Sequence, residues 1–320
     1  MTRVLVTGAS GFVGRALVKD LLAAGFQVTA AVRAAATVSL PDAVRRVGIG
    51  DIGGATDWRD ALDGVALIAH LAGIAHTAIS DDAAIAARYR AVNVDGTAAL
   101  AAAAAQAGVT RLLFLSSVKV NGEATTERPF TESDAPAPQD VYGRSKWQAE
   151  QALAAIAGQT GPAVTVIRSP LVYGPGVRGN FRSLLRLCDS PLPLPFGAIA
   201  NRRSLIARGN LTSALIAALT HPAAANETFL VRDGEDLSTS DLVRRLRLAL
   251  GRPPRLLPVP VALMAGTARL FGRSGAADRL FGSLAVDDAK IRAKLGWNPV
   301  ITTGQALRET ATAYRNARDA

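Results

Sequence analysis

A tyrosine and a lysine, Tyr142 and Lys146, stand four residues apart in a segment with helical character. On a helix this spacing places both side chains on one face. A phenol ordinarily has a pKa of about 10, which makes it a poor proton donor or acceptor at neutral pH. A nearby ammonium favours the phenolate. The pair therefore predicts a tyrosine whose pKa is lowered into the working range of an acid–base catalyst.

Ser117 adds a hydroxyl that can act with this pair. It follows the buried strand predicted over Arg111–Ser116, so it should lie at the carboxyl edge of a parallel sheet, where ligands bind in such folds. A tyrosine–lysine pair at this spacing is common by chance. The prediction of a catalytic pair therefore depends on the serine and on a glycine turn upstream. Ser117, Tyr142 and Lys146 are the predicted catalytic residues, with Ser117 bonding the reacting oxygen.

The glycine turn lies near the start of the chain. Gly8, Gly11 and Gly14 follow the apolar run Val4–Thr7 and open an amphipathic stretch. Gly8 permits a tight turn, Gly11 lets a pyrophosphate approach the backbone, and Gly14 allows close packing of helix on strand. Free amides and the helix dipole then bind phosphate. An ordinary glycine-rich turn is the alternative, but the context favours a nicotinamide dinucleotide site and hydride transfer to or from a carbonyl.

The end of the second predicted strand, Gln27–Val32, bears on the choice between NAD and NADP. An acidic residue there would bind the 2′-hydroxyl of NAD, but Arg33 follows instead. Arg33 either pairs with a 2′-phosphate, which favours NADPH, or is a surface residue that tolerates both cofactors. Asp51, after the third strand, either accepts from the adenine amino group or is a simple turn residue.

Strand and helix patterns alternate through the first half of the chain, which predicts an α/β fold with a Rossmann-type, doubly wound parallel sheet and right-handed crossovers. Two long helices are predicted, over Ala83–Ala107 and Tyr142–Ala157. The further predicted strands are Val44–Ile49, Val65–Ala72 and Ala163–Arg168.

After Ser169 proline and glycine become frequent and the strand signals become short. We therefore expect a dinucleotide-binding Rossmann domain over residues 1–168. Residues 169–320 should form mainly a smaller, mixed substrate lobe, with a segment at about 204–232 returning to the core. The polar loop Asn121–Asp140 should border the active site.

Composition argues against several other classes of protein. The 320 residues carry a net charge of +10, but the basic residues are scattered and aromatic residues make up 5%, so no nucleic-acid partner is predicted. Cys188 is the sole cysteine, which suits a buried structural thiol and a cytoplasmic location. The apolar stretch Ala98–Val109 falls short of the about 20 residues that a membrane span needs. No metal site and no membrane insertion are predicted.

Together these residues resemble the extended short-chain dehydrogenase/reductases, the group of NAD-dependent epimerases and dehydratases, and the resemblance covers nearly the whole chain. The ordered matches are Thr7-Gly8-x-x-Gly11-Phe12-x-Gly14, Asp51, His70-Leu71-Ala72, Asn93-Val94-Asp95-Gly96-Thr97, Leu115-Ser116-Ser117, Tyr142-x-x-x-Lys146, Arg168-Ser169-Pro170-Leu171-Val172-Tyr173-Gly174-Pro175 and Leu295-Gly296-Trp297-x-Pro299.

This resemblance implies a Ser-Tyr-Lys triad and a homodimer that pairs through the two long helices. It also implies a set of cofactor contacts. These are Gly8, Ser10, Gly11, Phe12, Val13, Gly14, Arg33, Asp51, Ile52, Leu71, Ala72, Gly73, Asn93, Ser116, Tyr142, Lys146, Pro170 and Val172.

The residues after Ser117 bear on the reaction. Dehydratases of this group carry an Asp-Glu pair there, because eliminating water needs a general acid and a general base. This chain has Val118 and Lys119 instead, so a dehydratase is rejected. Two kinds of enzyme remain. The 4-epimerases keep their NAD, which takes a hydride from the sugar and returns it, whereas the 4-ketoreductases consume NADPH.

The second lobe resembles UDP-sugar enzymes. Arg203 matches an arginine that contacts the UDP diphosphate in UDP-sugar epimerases. The runs Leu192–Gly197, Asn201–Leu205 and Gly282–Asp287 look like those of the 4-ketoreductases that form UDP-N-acetylquinovosamine, a surface-polysaccharide precursor. The predicted substrate-binding residues are His76, Ser117, Lys119, Asn180, Arg203 and Arg279.

Several alternatives stay open at this stage. His76 is either near the sugar or a solvated loop residue, and Asn180 is either a substrate ligand or a helix cap. The enzyme is either a reductase of a UDP-4-keto-6-deoxy-N-acetylhexosamine or a 4-epimerase with tightly bound NAD. A carbonyl reductase of a non-nucleotide substrate is a further alternative. A non-catalytic relative ranks last, because such proteins often lose the tyrosine or the lysine.

Overall fold

A computed structural model describes residues 1–35, 39–75, 83–157, 161–270 and 280–319. The strands are β1 (Arg3–Thr7), β2 (Gln27–Val32), β3 (Arg45–Gly48), β4 (Leu67–His70), β5 (Arg111–Ser117), β6 (Ala163–Ser169), β7 (Leu171–Tyr173), β8 (Arg203–Ala207), β9 (Glu227–Leu230) and β10 (Asp236–Leu237). The α-helices are α1 (Phe12–Ala23), α2 (Arg59–Leu62), α3 (Ala83–Tyr89), α4 (Gly96–Gln106), α5 (Val141–Ala157), α6 (Gly179–Cys188), α7 (Arg208–Thr220), α8 (Thr239–Ala249), α9 (Val261–Leu270), α10 (Ala289–Leu295) and α11 (Thr303–Asp319).

The main sheet has seven strands in the order β3-β2-β1-β4-β5-β6-β9, and all of its neighbouring strands run parallel. The chain order reverses between β1 and β4. In open α/β sheets this reversal opens the crevice in which ligands bind, outside the carboxyl ends of the strands. The predicted Rossmann-type fold is confirmed.

The central strands β1, β4 and β5 are buried on both faces, which explains why they are nearly continuous apolar runs. Within β5, Leu113 packs into the core that contains α1 and α7. Its neighbours Leu112 and Phe114 pack into the opposite core, against α4 and α5. Successive side chains of a strand point to opposite faces, so one strand supplies both cores and fixes the two helix layers around the site.

The second half of the chain divides between two structures. A small sheet has the order β10-β8-β7, and with α6, α8 and α11 it surrounds a separate core. Helix α7 instead packs on the main sheet, and β9 pairs with β6 at the sheet edge. In the described ranges no helix is both long and apolar enough to span a bilayer.

The first long helix is interrupted at a buried asparagine. The sequence predicts one helix over Ala83–Ala107, whereas the structure has α3, a π-helical turn over Arg90–Asp95, and then α4. Such wide turns often occur at functional sites. Here Asn93 lies inside the turn with 1% exposure. Periodicity could not reveal this, because the cause is a set of contacts that Asn93 makes with distant parts of the chain.

A buried ion pair joins α5 to the sheet. Glu150 and Arg168 are each 5% exposed, and Arg168 Nη2 lies 2.6 Å from Glu150 Oε2. Ser116 donates to Glu150 Oε1 at 2.5 Å, and Arg168 Nη1 donates to Asn121 Oδ1 at 3.1 Å. The pair therefore fixes α5 against β5 and β6 and anchors the start of the loop before α5.

We expect Glu150→Gln to lower the free energy of unfolding by about 3 kcal/mol, because it leaves the Arg168 charge buried without its partner. Equilibrium unfolding in urea measures this loss. Arg245→Gln is the control, since Arg245 pairs with Glu235 at a site where both side chains are at least 40% exposed, and it should cost much less. Equal losses in the two variants would contradict the prediction.

Candidate active site

The glycine turn brings three backbone segments into contact at the carboxyl edge of the sheet. Gly8 has φ of +67°, and a Cβ there would lie 2.8 Å from the Ala72 nitrogen. A Cβ on Gly14 would lie 2.1 Å from the Gly8 carbonyl oxygen. No side chain fits at either place, so β1, α1 and the segment after β4 approach with only backbone between them.

The start of α1 is suited to an anionic group. Gly11 caps the helix and has no side chain with which to bond the first amides, and the first turn holds no acidic residue. The amides of Phe12 and Val13 have no partner within the helix, as in any first turn. The carbonyl of exposed Ser10 accepts from Arg15 Nε at 2.8 Å. These residues fit the diphosphate of a dinucleotide.

The predicted adenosine contacts meet at the ends of β2 and β3. Arg33 Nε lies 2.8 Å from Asp51 Oδ1, and their side chains are 80% and 84% exposed. Ile52 packs against α4, where a Cβ on Gly96 would lie 2.4 Å from Ile52 Cγ2. The sequence did not predict the Arg33–Asp51 pair, because it depends on the pairing of β2 with β3.

The three predicted catalytic residues come together. Ser117 ends β5, and its side chain lies beside the hydroxyl of Tyr142 in the first turn of α5, close enough to affect the pKa of that hydroxyl. Lys146, one turn further along, is 4% exposed. Its Nζ donates to the Leu115 carbonyl at 2.9 Å and lies 4.4 Å from the centre of the Phe114 ring. The amino group of Lys146 thus lies against the end of β5, the strand that carries Ser117.

The expected lowering of the Tyr142 pKa is wrong for this structure. Burial raises the pKa of Tyr142 to about 12, while the neighbouring Ser117 side chain lowers it by a smaller amount. Asp140 and Tyr89 add smaller upward contributions to this pKa. Desolvation of the phenolate outweighs any stabilising charge nearby. Tyr142 is therefore a neutral phenol near pH 7, which is the form that donates a proton.

Lys146 responds to burial in the opposite sense. Burial lowers the pKa of Lys146 to about 8, and Glu150 one turn away partly opposes this. The ammonium thus persists at neutral pH but loses its proton easily above it. A Cβ on Gly73 would lie 3.4 Å from Lys146 Nζ and 3.0 Å from Asn93 Oδ1, so the segment after β4 passes close to both side chains.

A chain of buried hydrogen bonds starts at the glycine turn. Thr7 Oγ1 accepts from the amides of Leu71 and Ala72, so its proton is donated to His70 Nδ1 at 2.7 Å. These two amides turn away from the sheet, which explains why β4 ends at His70 rather than at the predicted Ala72. Thr97 donates to the Asn93 carbonyl at 2.7 Å, so it accepts from His70 Nε2 at 2.9 Å.

The same chain reaches α5. Asn93 Nδ2 donates to Ser145 Oγ at 2.9 Å, and Ser145 donates to the Tyr142 carbonyl at 2.8 Å. Asn93 Oδ1 accepts from the Ile74 amide at 2.8 Å. His70 stays neutral, because burial, with a smaller effect of Lys146, lowers its pKa to about 3. The sequence motifs contain these residues, but only the structure joins them.

Lys119 lies in an ion-pair cluster at the start of α5. Its Nζ lies 2.5 Å from Asp140 Oδ2 and 3.0 Å from Glu123 Oε1. Asp140 Oδ1 also accepts from the Gly143 amide at 2.6 Å and so caps the helix that carries Tyr142. Sequence reasoning missed Asp140, although an Asp just before a helix is a recognisable capping signal.

Two of the predicted cofactor contacts lie just after the carboxyl end of β6. Pro170 joins β6 to β7, and Val172 lies within β7. Ser116 is different, because its hydroxyl is directed to Glu150 inside the protein. Any contact of Ser116 with a cofactor would therefore use its backbone.

Other predicted substrate residues lie in the second lobe. Arg203, half-buried at the start of β8, donates from Nη1 to the Gly282 carbonyl at 3.0 Å. Asn180 is exposed on the first turn of α6. The N-cap position of this helix is held by Arg178, whose side chain makes no capping bond, so the interpretation of Asn180 as the cap is wrong. The predicted residues His76 and Arg279 lie outside the described residues.

Comparison with known proteins agrees with this geometry. The model of the NAD dependent epimerase/dehydratase family matches residues 4–231. A UDP-glucose 4-epimerase of Vibrio cholerae is 43% identical over 99% of this chain and 96% of the relative. A 3-beta-hydroxysteroid dehydrogenase of Mycolicibacterium neoaurum is 29% identical over 99% of this chain and 92% of the relative.

Solved structures share the whole fold. The UDP-glucose 4-epimerase of Thermotoga maritima with UDP-glucose superposes with a TM-score of 0.78 at 22% identity, covering 99% of this chain and 100% of that one. MoeE5 in complex with UDP-glucose and NAD gives a TM-score of 0.77 at 25% identity, covering 99% of each chain. The chain belongs to the NAD-dependent epimerase/dehydratase family and is an enzyme of the extended short-chain dehydrogenase/reductase type.

We expect Lys146→Met to remove a pH dependence from the stability of the ligand-free protein. The pKa of Lys146 is about 8 when folded against 10.5 ordinarily, so between these values the unfolded chain binds more protons and the wild type gains stability as pH rises. The difference in unfolding free energy, wild type minus variant, should grow by about 3 kcal/mol across this window. Urea unfolding at its two ends measures it, and a constant difference would contradict the prediction.

Proposed function

We propose that this chain transfers a hydride between a nicotinamide cofactor and C4 of a UDP-linked sugar. Its net reaction in this proposal reduces a UDP-4-keto-6-deoxy-N-acetylhexosamine in surface-polysaccharide precursor synthesis. The observation that carries the proposal is the placement of Ser117 beside neutral Tyr142 at the sheet edge that also holds the glycine turn. A neutral phenol supplies the proton that a carbonyl oxygen needs when it becomes a hydroxyl.

The residues of the triad have separate tasks in this mechanism. When bound, the reduced nicotinamide supplies the hydride that carbon C4 gains. Ser117 donates a hydrogen bond to the carbonyl oxygen and orients it, while Tyr142 donates its phenolic proton to that oxygen. The ammonium of Lys146 holds the ribose hydroxyls of the cofactor, and solvent returns a proton to Tyr142 after the transfer.

A UDP-linked substrate is supported by Arg203 and by the relatives. A guanidinium suits a diphosphate through charged, two-pronged hydrogen bonds. The Vibrio cholerae relative is named a UDP-glucose 4-epimerase, and MoeE5 was solved with UDP-glucose and NAD. Lys119, Asn180, His76 and Arg279 remain proposed sugar or nucleotide contacts.

Elimination of water does not suit this site. The two positions after Ser117 are Val118 and Lys119, and neither is a carboxylic acid. The carboxylates nearest to Lys119, Asp140 and Glu123, are engaged by its ammonium. A dehydratase needs an acid and a base that are free to exchange protons with the sugar. Proton transfer in this proposal is therefore confined to Tyr142.

A 4-epimerase is the second candidate, favoured by the name of the 43% identical relative. An epimerase keeps its NAD through many turnovers, whereas a reductase must exchange its cofactor each time. Arg33 and Asp51 pair at the adenosine end of the proposed cofactor site. Arg33 supports NADPH over NADH, because it offers a cation to a 2′-phosphate.

Three sequence predictions remain proposals. They are a homodimer that pairs through the two predicted helices Ala83–Ala107 and Tyr142–Ala157, a cytoplasmic location, and a domain boundary at residue 168.

The two candidates differ in whether cofactor is consumed. We expect the chain to oxidise added NADPH, and NADH more slowly, when the 4-keto-6-deoxy UDP-sugar is present. UDP-N-acetylglucosamine and UDP-glucose should give no absorbance change at 340 nm and no new sugar. Absorbance and chromatography of the sugars measure both results. Interconversion of these sugars without added reductant would overturn the reductase in favour of the epimerase.

The control for the mechanism is Tyr142→Phe. It removes the donated proton but keeps the ring, so it should lower turnover at least about a hundredfold while binding cofactor normally. Turnover within a few-fold of the wild type would show that Tyr142 is not the proton donor.

A thermal-shift measurement tests the nucleotide part of the substrate. We expect UDP to raise the melting temperature of the wild type by several degrees and to have little effect on Arg203→Gln. Arg202→Gln is the matched control, since this neighbouring side chain is 60% exposed and pairs with Asp236. An absent UDP shift in the wild type would favour a non-nucleotide carbonyl substrate instead.

A further inference from the structure

Arg208, the first residue of α7, lies against the cofactor turn although it comes from the second half of the chain. Its guanidinium carbon is 5.0 Å from the centre of the Phe12 ring, and Phe12 is the first residue of α1. Its Nη1 donates to the Pro175 carbonyl at 2.7 Å. A Cβ on Gly174 would lie 3.1 Å from Arg208 Cβ and 3.8 Å from Phe12 Cζ, so these segments are in close contact.

The charge of Arg208 is only weakly compensated by the protein. Arg208 is half-buried, and burial lowers the pKa of its guanidinium, with Asp20 exerting a smaller opposite effect. Asp20 accepts a hydrogen bond from Thr212 at 2.5 Å. Among the described residues no carboxylate forms an ion pair with Arg208. A guanidinium has several N–H donors, and here the bond to Pro175 accounts for one of them.

The location of Arg208 matches the middle of a dinucleotide. On one side lie the amides of α1, which fit a diphosphate, and on the other lies Pro175, a few residues after the predicted cofactor contacts Pro170 and Val172. A dinucleotide that runs from the end of β2 to Ser117 must carry its diphosphate past the start of α1. A partly desolvated cation attracts an anion there more strongly than an exposed one does.

We propose that Arg208 binds the diphosphate of the dinucleotide cofactor from the side of the second lobe, opposite the amides of α1. This inference rests on the dinucleotide site of the proposed function and does not depend on the sugar. It adds to the cofactor contacts a residue that lies almost two hundred positions from the glycine turn. In this proposal one ligand contacts α1 and α7, so it links both halves of the chain.

ADP-ribose tests this contact without any catalytic step, because it carries the diphosphate and lacks the nicotinamide. Calorimetry should give a dissociation constant at least about tenfold weaker for Arg208→Gln than for the wild type, and a smaller loss for Arg208→Lys. Adenosine, which lacks phosphate, should bind both variants as it binds the wild type. Arg182→Gln is the matched control, since Arg182 is exposed on α6 of the same lobe, and it should bind ADP-ribose normally.

Each outcome bears on one part of the inference. If Arg208→Gln binds ADP-ribose within about twofold of the wild type, or loses adenosine affinity equally, Arg208 only packs on Phe12 and the inference fails. If Arg208→Gln does not fold, Arg208→Lys serves as the test instead. An ADP-ribose affinity of Arg208→Lys equal to that of the wild type would then overturn the proposed contact. If the wild type itself does not bind ADP-ribose, the dinucleotide site and the proposed function fail together.

Discussion

A buried chain of hydrogen bonds with a fixed direction joins the cofactor turn to the catalytic helix. It runs from Thr7 through His70 and Thr97 to Asn93, and from there through Ser145 to the backbone of Tyr142. Every hydroxyl in it has one proton to donate, so each donor determines the next. An unpaired buried polar group is costly. These hydrogen bonds therefore hold α5 and the segment that follows β4 in one relative position.

Burial also sets the protonation of the reacting groups. Desolvation raises the pKa of Tyr142 to about 12 and lowers that of Lys146 to about 8, so in each case it favours the neutral form. The ammonium does not activate the tyrosine in the way that its spacing predicts. The site instead holds a proton on Tyr142, which suits the reduction of a carbonyl. The ion pair of Glu150 and Arg168 keeps α5 in place beneath these groups.

The fold alone does not identify the substrate, since relatives of similar length are named for sugar epimerisation and for steroid oxidation. In this chain the second lobe supplies side chains to both proposed diphosphate contacts. Here that lobe contributes Arg203 on β8 and Arg208 on α7, two arginines at the two ends of one short segment. In our proposals one binds the diphosphate of the substrate and the other that of the cofactor.

The sequence by itself determined the parts that depend on local patterns. Glycine spacing identified the turn, apolar runs identified most strands of the main sheet, and the four-residue spacing put Tyr142 and Lys146 on one helix face. Tertiary structure alone decided the pairing of β9 with β6, the capping of α5 by Asp140, the position of Arg208 and the pKa of Tyr142. These depend on contacts between residues far apart in the chain and on how much water they exclude, and no local spacing encodes either quantity.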